Sequence, residues 1–141
     1  MIENIQSSLG AVMVIVTDPV GRMVIVRESS RRNPKWKFPG GGIEENELPL
    51  DAAIRELQQE TGLSLTGKNL HYFSTVHKND HNLYVYCGQI SSWKGLVPVG
   101  EDDGETKVVS CHKILKMDDF LRDHHIILDR LITRSGTGFL P

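Results

Sequence analysis

The chain is poor in the residues that mark several classes of protein. Its 141 residues include two cysteines, Cys87 and Cys111, which are too few for a disulfide framework and lack a metal-ligand spacing. The net charge of −2 gives no general electrostatic footprint for long nucleic acid or an anionic membrane. The longest apolar run, Leu9 to Val16, is too short to span a bilayer. These shortages favour a cytoplasmic protein with two reduced thiols.

The N-terminus also lacks a basic region followed by an apolar one, so no signal peptide is expected. What is present is ordinary, because 39% hydrophobic and 24% charged residues are typical of a soluble globular protein. No repeat or linker is found. A single domain is therefore expected over residues 1–141.

The distribution of apolar and β-branched residues predicts strands interspersed with helices. The expected strands span residues 10–17, 22–27, 70–77, 82–90 and 107–111. Asp18-Pro19-Val20-Gly21 is typical of a turn, so the first two strands are expected to form a hairpin. A C-terminal amphipathic helix is expected from about Phe120, with Gly136 as its stop signal.

A periodic segment predicts a helix over about 49–61. Its apolar stripe consists of Leu50, Ala53, Ile54 and Leu57. Pro49 fits the first turn, where its missing N–H needs no partner, and Gly62 fits a left-handed C-terminal cap. Leu48 stands where a serine or threonine would cap the helix, which leaves open whether Asn46 compensates.

Two carboxylates lie on one side of this predicted helix. At about 100° per residue, Glu56 and Glu60 project beside the apolar stripe, with Gln59 next to them. Like charges four residues apart repel, and a divalent cation would remove that cost. Oxygen ligands suit Mg²⁺, with Mn²⁺ as the alternative ion. A solvated acidic face is the commoner fate of such a pair, so the decision depends on the surrounding residues.

Those residues have a characteristic spacing. The order is Gly41, five residues, Glu47, seven residues, and then Arg55-Glu56-Leu57-x-Gln59-Glu60-x-Gly62-Leu63. The preceding segment reads Trp36-Lys37-Phe38-Pro39-Gly40-Gly41-Gly42. Together the two segments resemble the Nudix family, in particular its MutT-like members, and residues 41–63 match the metal-binding Nudix box. No lysine follows the glycines as it would in a phosphate-binding P-loop.

The resemblance implies both fold and activity. The Nudix fold is an α/β/α sandwich, in which a mixed central β-sheet lies between helices. The implied activity is metal-dependent hydrolysis of a pyrophosphate bond in a nucleoside di- or triphosphate or in a nucleoside diphosphate derivative. The expected partner is a nucleotide-type small molecule rather than a membrane or long nucleic acid. The oligomeric state stays open, a homodimer included.

The resemblance also implies roles for individual residues. The implied metal ligands are the Gly40 carbonyl, Glu56, Gln59 and Glu60. Glu47 and Arg55 are expected to form an ion pair that supports the box, since a guanidinium can hold a carboxylate by two parallel hydrogen bonds. The three glycines are expected to approach a ligand closely and to allow positive φ, although alone they are typical of a flexible turn.

For the catalytic base and for the substrate contacts, the resemblance leaves more than one candidate residue. The base is expected to be Glu56 or Glu105, a residue near the end of an acidic loop whose other members are Glu101, Asp102 and Asp103. Arg27 stands where MutT-like enzymes place a substrate-binding arginine, and Trp36 and Phe38 are candidates to stack on a base. A basic cluster consists of Arg31, Arg32, Lys35 and Lys37. It is interpreted either as a phosphate or RNA 5′-end contact or as a solvated loop.

Gln59 is the one departure from the box, because the family normally has glutamate there. Glutamine keeps the shape and an oxygen but removes a negative charge, so the binding of additional cations should weaken. Three explanations remain: an active enzyme that needs fewer metals or uses Glu44 or Glu45, a nucleotide-binding sensor that does not cleave, and an engineered substitution. The first is favoured.

Overall fold

The computed structural model describes residues 10–100 and 104–135. The elements occur in the order β1 (Ala11–Thr17), β2 (Arg22–Glu28), β3 (Gly40–Gly42), α1 (Pro49–Thr61), β4 (Leu70–His77), β5 (Asn82–Gln89), β6 (Gly104–Ser110), α2 (Cys111–Lys116) and α3 (Arg122–Ser135). Within these residues, no helix has the length and apolar character needed to cross a membrane.

The six strands of the described residues form one mixed sheet, and the mixed sheet was expected, whereas β3 was not among the five predicted strands. Its order is β4-β5-β1-β2-β6, and β3 pairs with β1 beside this path. β1 and β5 are parallel, whereas all other pairs are antiparallel. β2 pairs with β1 only near the hairpin, at Thr17 and Met23, so β3 occupies the place next to the first half of β1. This arrangement brings the glycines to the middle of the sheet.

The sheet is buried on both faces, which confirms the α/β/α sandwich. On one face Val12 and Val14 pack with Ala53 and Leu57 of α1. On the other face Met13, Ile15 and neighbouring apolar residues pack with a second helix through Leu128 and Leu131 of α3. Because β1 contributes to both cores, its sequence is continuously apolar rather than alternating. Each such side chain contributes about 1.5–3 kcal/mol through burial.

Helix α1 has the bounds that its sequence predicts. Pro49 begins the helix, and Gly62 caps its end at φ 82°, in the left-handed region. Leu48 makes no side-chain cap, and Asn46 does not compensate. Asn46 instead adopts φ 66° in the preceding turn. There Glu47 accepts a hydrogen bond from the Glu44 amide through its carboxylate.

The segment after β5 differs from the prediction. The last strand begins at Gly104 rather than at residue 107, and Cys111 begins the short helix α2 instead of ending the strand. The hydroxyl of Ser110 accepts a hydrogen bond from the Lys113 amide at 3.2 Å and caps this helix. Serine is a preferred residue at a helix N-cap, so Ser110 could have predicted the start of this helix from the sequence. The expected stop at Gly136 lies outside the described residues.

The glycine segment forms a short strand, which corrects the expectation of positive φ. Gly40, Gly41 and Gly42 are paired with β1, and none of the three has positive φ. Their lack of a side chain serves close packing within the protein. A Cβ atom at Gly40 would collide with the Val12 backbone, so the strand can lie against β1 only with glycine there.

His124 links α3 to the segment before the glycines. Its Nδ1 accepts a hydrogen bond from the Phe38 amide at 3.0 Å, and its ring stacks on Phe38 with centroids 6.1 Å apart. Burial, reinforced by the nearby positive charge of Lys37, lowers the pKa of His124 to about 4. The folded state therefore holds this imidazole neutral.

This burial predicts a loss of stability in acid. The unfolded chain protonates His124 near pH 6.5, whereas the folded chain does so only near pH 4. Between these values the unfolded state binds more protons, so the free energy of unfolding should fall by up to about 3 kcal/mol as the pH decreases. His124→Asn retains an acceptor for the Phe38 amide but does not titrate, and it should remove that part of the decrease.

Denaturant unfolding of both proteins between pH 7 and pH 4 measures the difference. His71→Asn, at an exposed position on β4, provides a matched control. Equal pH dependence of the wild type and His124→Asn would contradict the prediction.

Candidate active site

The second half of α1 lies against the glycine strand, and this contact creates the site. Glu60 accepts a hydrogen bond from the Gly40 amide at 2.7 Å. The Glu56 carboxylate occupies the space above Gly41, where a Cβ atom would lie only 2.5–2.7 Å from the carboxylate atoms. The two carboxylates predicted from helical spacing are thus both held at β3, and the glycines leave room for them.

The electrostatics of Glu60 reflect this confinement. Burial raises the pKa of Glu60 to about 7, while the Gly40 amide and Lys37 favour the anion and Glu56 opposes it. The main cause is the loss of hydration, which disfavours the charged form. A cation near this carboxylate would therefore replace missing solvation.

Arg55 connects the components of the site. It holds Glu47 by two hydrogen bonds, from Nε at 2.8 Å and from a terminal nitrogen at 2.9 Å. The same guanidinium donates to Glu56 at 2.9 Å, to the Gln59 side-chain oxygen at 3.2 Å and to the Gly42 carbonyl at 2.9 Å. The bonds that Arg55 donates to Glu47 keep the pKa of Glu47 below its ordinary value. The expected ion pair between Arg55 and Glu47 is present, and the Arg55 guanidinium also contacts Glu56 directly.

A pocket of about 90 Å³ opens beside these carboxylates. It is lined by Val26, Arg27, Glu28, Lys37, Glu56, Gln59, Glu60 and Gly104. We call it the catalytic pocket. Glu28 was not singled out as a site residue from the sequence, whereas Lys37 was considered only as a member of the basic cluster. The alternation of side chains along β2 could have predicted that Glu28 faces α1, because Glu28 lies on the same face of the strand as Val24, a residue of the core beneath α1.

Glu105, one of the two expected bases, does not line the catalytic pocket with Glu56 and Glu60. It is paired in register with Arg27 and forms an ion pair with it at 2.9 Å. The Arg27 guanidinium lies 4.5 Å from the centroid of Trp36, a residue of the core on the α3 side. Directly opposed residues project to the same face, so Glu105 projects away from α1. Residues 101–103, the other acidic candidates, lie outside the described residues.

The prediction that Trp36 and Phe38 stack on a base is wrong. Trp36 is 5% exposed and Phe38 is fully buried, and both belong to the core between the sheet and α3. Phe120 packs edge to face on Phe38 at 5.2 Å. Arg27 does line the catalytic pocket, so its expected role as a substrate contact remains a prediction.

A larger cavity, of about 530 Å³, lies elsewhere, between β4, β5 and Leu131 of α3. No acidic residue lines it. Size alone therefore does not identify the site, because hydrolysis of an anionic substrate needs the charged groups found in the smaller pocket.

Comparison with known proteins agrees with this geometry. The family model of the NUDIX domain matches residues 8–133. The chain belongs to the NUDIX family. A structure of the NUDIX domain of Shewanella oneidensis NrtR, complexed with ADP ribose, superposes with a TM-score of 0.75 at 18% identity, covering 90% of this chain and 88% of that one. A MutT structure, from work on Aliivibrio salmonicida and Vibrio cholerae, gives 0.74 at 19% identity and covers 89% and 97%.

Two curated NUDIX relatives are more similar in sequence. Human diphosphoinositol polyphosphate phosphohydrolase 3-beta is 33% identical over 101 residues, which are 64% of this chain and 62% of that protein. The RNA pyrophosphohydrolase of Bartonella tribocorum is 37% identical over 91 residues, which are 58% and 53% of the two chains. The chain thus spans less than two thirds of the length of either relative.

NUDIX hydrolases generally need divalent metal ions, and the donor set here suits such an ion. Across residues 10–100 and 104–135, no three His, Cys, Asp or Glu side chains are grouped closely enough to hold a metal. Two carboxylates, Glu56 and Glu60, converge instead at β3, next to the Gln59 amide. Mg²⁺ is commonly held by one or two carboxylates, with water and substrate phosphates as its other ligands. The residues present therefore fit a metal shared with the substrate.

Gln59 stands where the family has a carboxylate, and its side chain lies in the site. Its oxygen contacts Arg55, and it lines the catalytic pocket beside Glu56. Glu44, considered as a replacement ligand, instead lies 3.7 Å from Arg55, is 68% exposed and does not line this pocket. The pocket therefore lacks one negative charge relative to the family pattern, and Glu44 does not restore it.

Gln59→Glu is expected to increase metal affinity. The Mg²⁺ concentration for half-maximal rate should fall by about three- to tenfold, because the number of negative ligands sets cation affinity. Turnover at saturating metal should change less. Gln58→Glu, at the adjacent exposed position of α1, adds the same charge outside the pocket and is the matched control. Metal titrations of rate and calorimetry test this. Equal shifts in the two variants would argue against a role for Gln59.

Proposed function

We propose that the protein hydrolyses a pyrophosphate bond in a nucleotide-type substrate, a nucleoside di- or triphosphate or a nucleoside diphosphate derivative, with Mg²⁺ or alternatively Mn²⁺. The observation that supports it most is the convergence of Glu56 and Glu60 on the glycine strand within a pocket lined by Lys37. The names of both curated relatives describe hydrolysis of phosphate or pyrophosphate groups. The NrtR domain is complexed with ADP ribose, which contains a pyrophosphate.

In this proposal Glu56 and Glu60 hold the metal, with Gln59 and the Gly40 carbonyl as further ligands. A bound divalent ion neutralises phosphate oxygens and makes a bound water more acidic. The Gly40 amide fixes the carboxylate of Glu60, so the ligand is in place before substrate arrives. Such positioning lowers the reorganisation needed in the transition state.

We assign the base to Glu56. It lines the catalytic pocket, its side chain is 15% exposed, and Arg55 fixes one of its oxygens at 2.9 Å. Glu105, the other expected base, is ion-paired with Arg27 and is not among the residues that line this pocket. Glu47 has a supporting role, because its two bonds to Arg55 determine where that guanidinium meets Glu56.

A nucleotide-binding domain without catalytic activity is the second candidate. Gln59 favours it, since the loss of one carboxylate weakens the cation site. The retained Glu56, Glu60, Arg55 and Glu47 favour the enzyme. We therefore keep hydrolysis as the main proposal.

A nucleotide panel tests the proposal. Purified protein is incubated with nucleoside triphosphates, ADP-ribose and dinucleoside polyphosphates, with Mg²⁺ or Mn²⁺, and products are separated by chromatography. Cleavage at a pyrophosphate bond, abolished by excess chelator, is expected. Nucleotide binding without turnover on the whole panel would instead support the sensor.

We further propose that the protein works in the cytoplasm as one domain over residues 1–141. Cys87 and Cys111 are both free thiols, and burial raises the pKa of each, to about 12 and about 11. Such unreactive thiols suit a reducing compartment.

A further inference from the structure

A second pocket adjoins the catalytic pocket. Its volume is about 250 Å³, and it is formed by the loop after β2 together with Leu121 before α3. Glu28 and Lys37 line both pockets, so the two cavities meet at these side chains. A substrate bound at the carboxylates can therefore extend into the second pocket, which we call the basic pocket.

The basic pocket concentrates positive charge in a chain whose net charge is −2. Its charged lining consists of Glu28, Arg31, Arg32, Lys35 and Lys37. The single carboxylate, Glu28, is ion-paired with Arg31 at 2.8 Å. Asn33 adopts φ 53°, a left-handed turn that folds the loop so that cations on both sides of it surround the same cavity.

The side chains that line this pocket favour a phosphate group over a nucleobase as the ligand. None of the residues that line the pocket is aromatic. The rings expected to stack on a base, Trp36 and Phe38, are buried in the core. Guanidinium and ammonium groups are the usual protein ligands of phosphate.

We propose that the basic pocket binds phosphate groups that the substrate carries beyond the bond to be cleaved. The inference rests on the proposed hydrolysis at the adjacent carboxylates and specifies its substrate class: small, multiply phosphorylated molecules rather than those with a single pyrophosphate. Binding in the pocket is electrostatic and independent of the nucleoside.

The first experiment measures binding without turnover. Inorganic tripolyphosphate is titrated calorimetrically in excess EDTA, because the metal-free carboxylates of the catalytic pocket repel an anion and leave the basic pocket as its site. The test variant is Arg32→Gln/Lys35→Gln, which spares Arg31, the partner of Glu28, and Lys37, the neighbour of Glu60. Lys113→Gln/Arg130→Gln removes the same charge from exposed positions on α2 and α3. The test variant should bind at least fivefold more weakly than wild type, and the control variant equally.

The second experiment compares two substrates that share an adenosine, ADP-ribose and diadenosine pentaphosphate, with Mg²⁺. Wild type should have the higher kcat/KM for the pentaphosphate, and the test variant should lower the ratio of the two values about tenfold, mainly through KM. An unchanged ratio would overturn the basic pocket as a subsite. With 5′-triphosphorylated RNA as a third substrate, a loss in the test variant confined to the RNA would overturn the small-molecule class.

The two proposals fail in different ways. Tripolyphosphate binding that depends on Arg32 and Lys35, without hydrolysis of any nucleotide in the panel, would refute the enzyme and support the pocket. Hydrolysis with equal tripolyphosphate binding in all three proteins would refute the pocket and support the enzyme.

Discussion

Glu60→Gln is expected to lower kcat at least about 100-fold, because removing a charged metal ligand removes stabilisation of the negative transition state. Glu60 is buried at the glycine strand, where Gly40 donates to its carboxylate at 2.7 Å. Glutamine retains an acceptor for that amide and nearly the same shape. The substitution thus changes the charge while the contact is preserved.

The same variant should remain folded. Burial raises the pKa of Glu60 to about 7, so the folded protein gains little from the charged form in the absence of metal. A neutral amide avoids the desolvation of a carboxylate. The midpoint temperature of thermal unfolding without metal should therefore be no lower in the variant than in wild type. This measurement separates loss of catalysis from loss of structure.

Glu44→Gln is the matched control in the same box. Its carboxylate is 68% exposed and does not line the catalytic pocket, so its kcat should stay within about twofold of wild type. Steady-state rates on the best substrate of the panel provide the measurement. Full activity of Glu60→Gln, or turnover in excess chelator, would refute the metal mechanism.

Local signals account for what the sequence predicted well. Pro49 and the apolar stripe lie within one helix that Gly62 caps, and the observed bounds are the expected ones. The positions of Glu56 and Glu60 follow from that helix alone. The ion pair of Arg55 with Glu47 required the family spacing, since seven residues separate the two along the chain and Glu47 precedes the helix.

Strand register accounts for what the sequence did not predict. Glu105 opposes Arg27 and therefore projects to the α3 side, and a shift of one residue would have placed it on the α1 side. Nothing local to β6 determines that register. Likewise, Trp36 is in the core because its backbone bridges to Phe120, a residue 84 positions later in the chain. Lys37 then projects into the catalytic pocket by alternation.

Disruption of the Arg55–Glu47 pair is the second change with a large expected effect. Glu47→Gln and Arg55→Met should each lower kcat/KM about 10- to 100-fold, as is typical when a group that orients metal ligands is lost. Arg55 has the larger expected effect because it also donates to Glu56 and Gln59, at 2.9 and 3.2 Å. Neither residue needs to touch the substrate for this loss.

The double variant distinguishes a shared function from two separate ones. Once Arg55 is absent, Glu47 has no guanidinium to orient, so removing it should cost little more. The logarithmic losses should then be clearly less than additive, with a coupling of about 0.5–3 kcal/mol. Lys78→Met/Asp123→Asn, which disrupts another ion pair at 3.1 Å, should leave kcat/KM unchanged. Strictly additive losses in the Arg55–Glu47 cycle would mean that the pair does not position Glu56 as a unit.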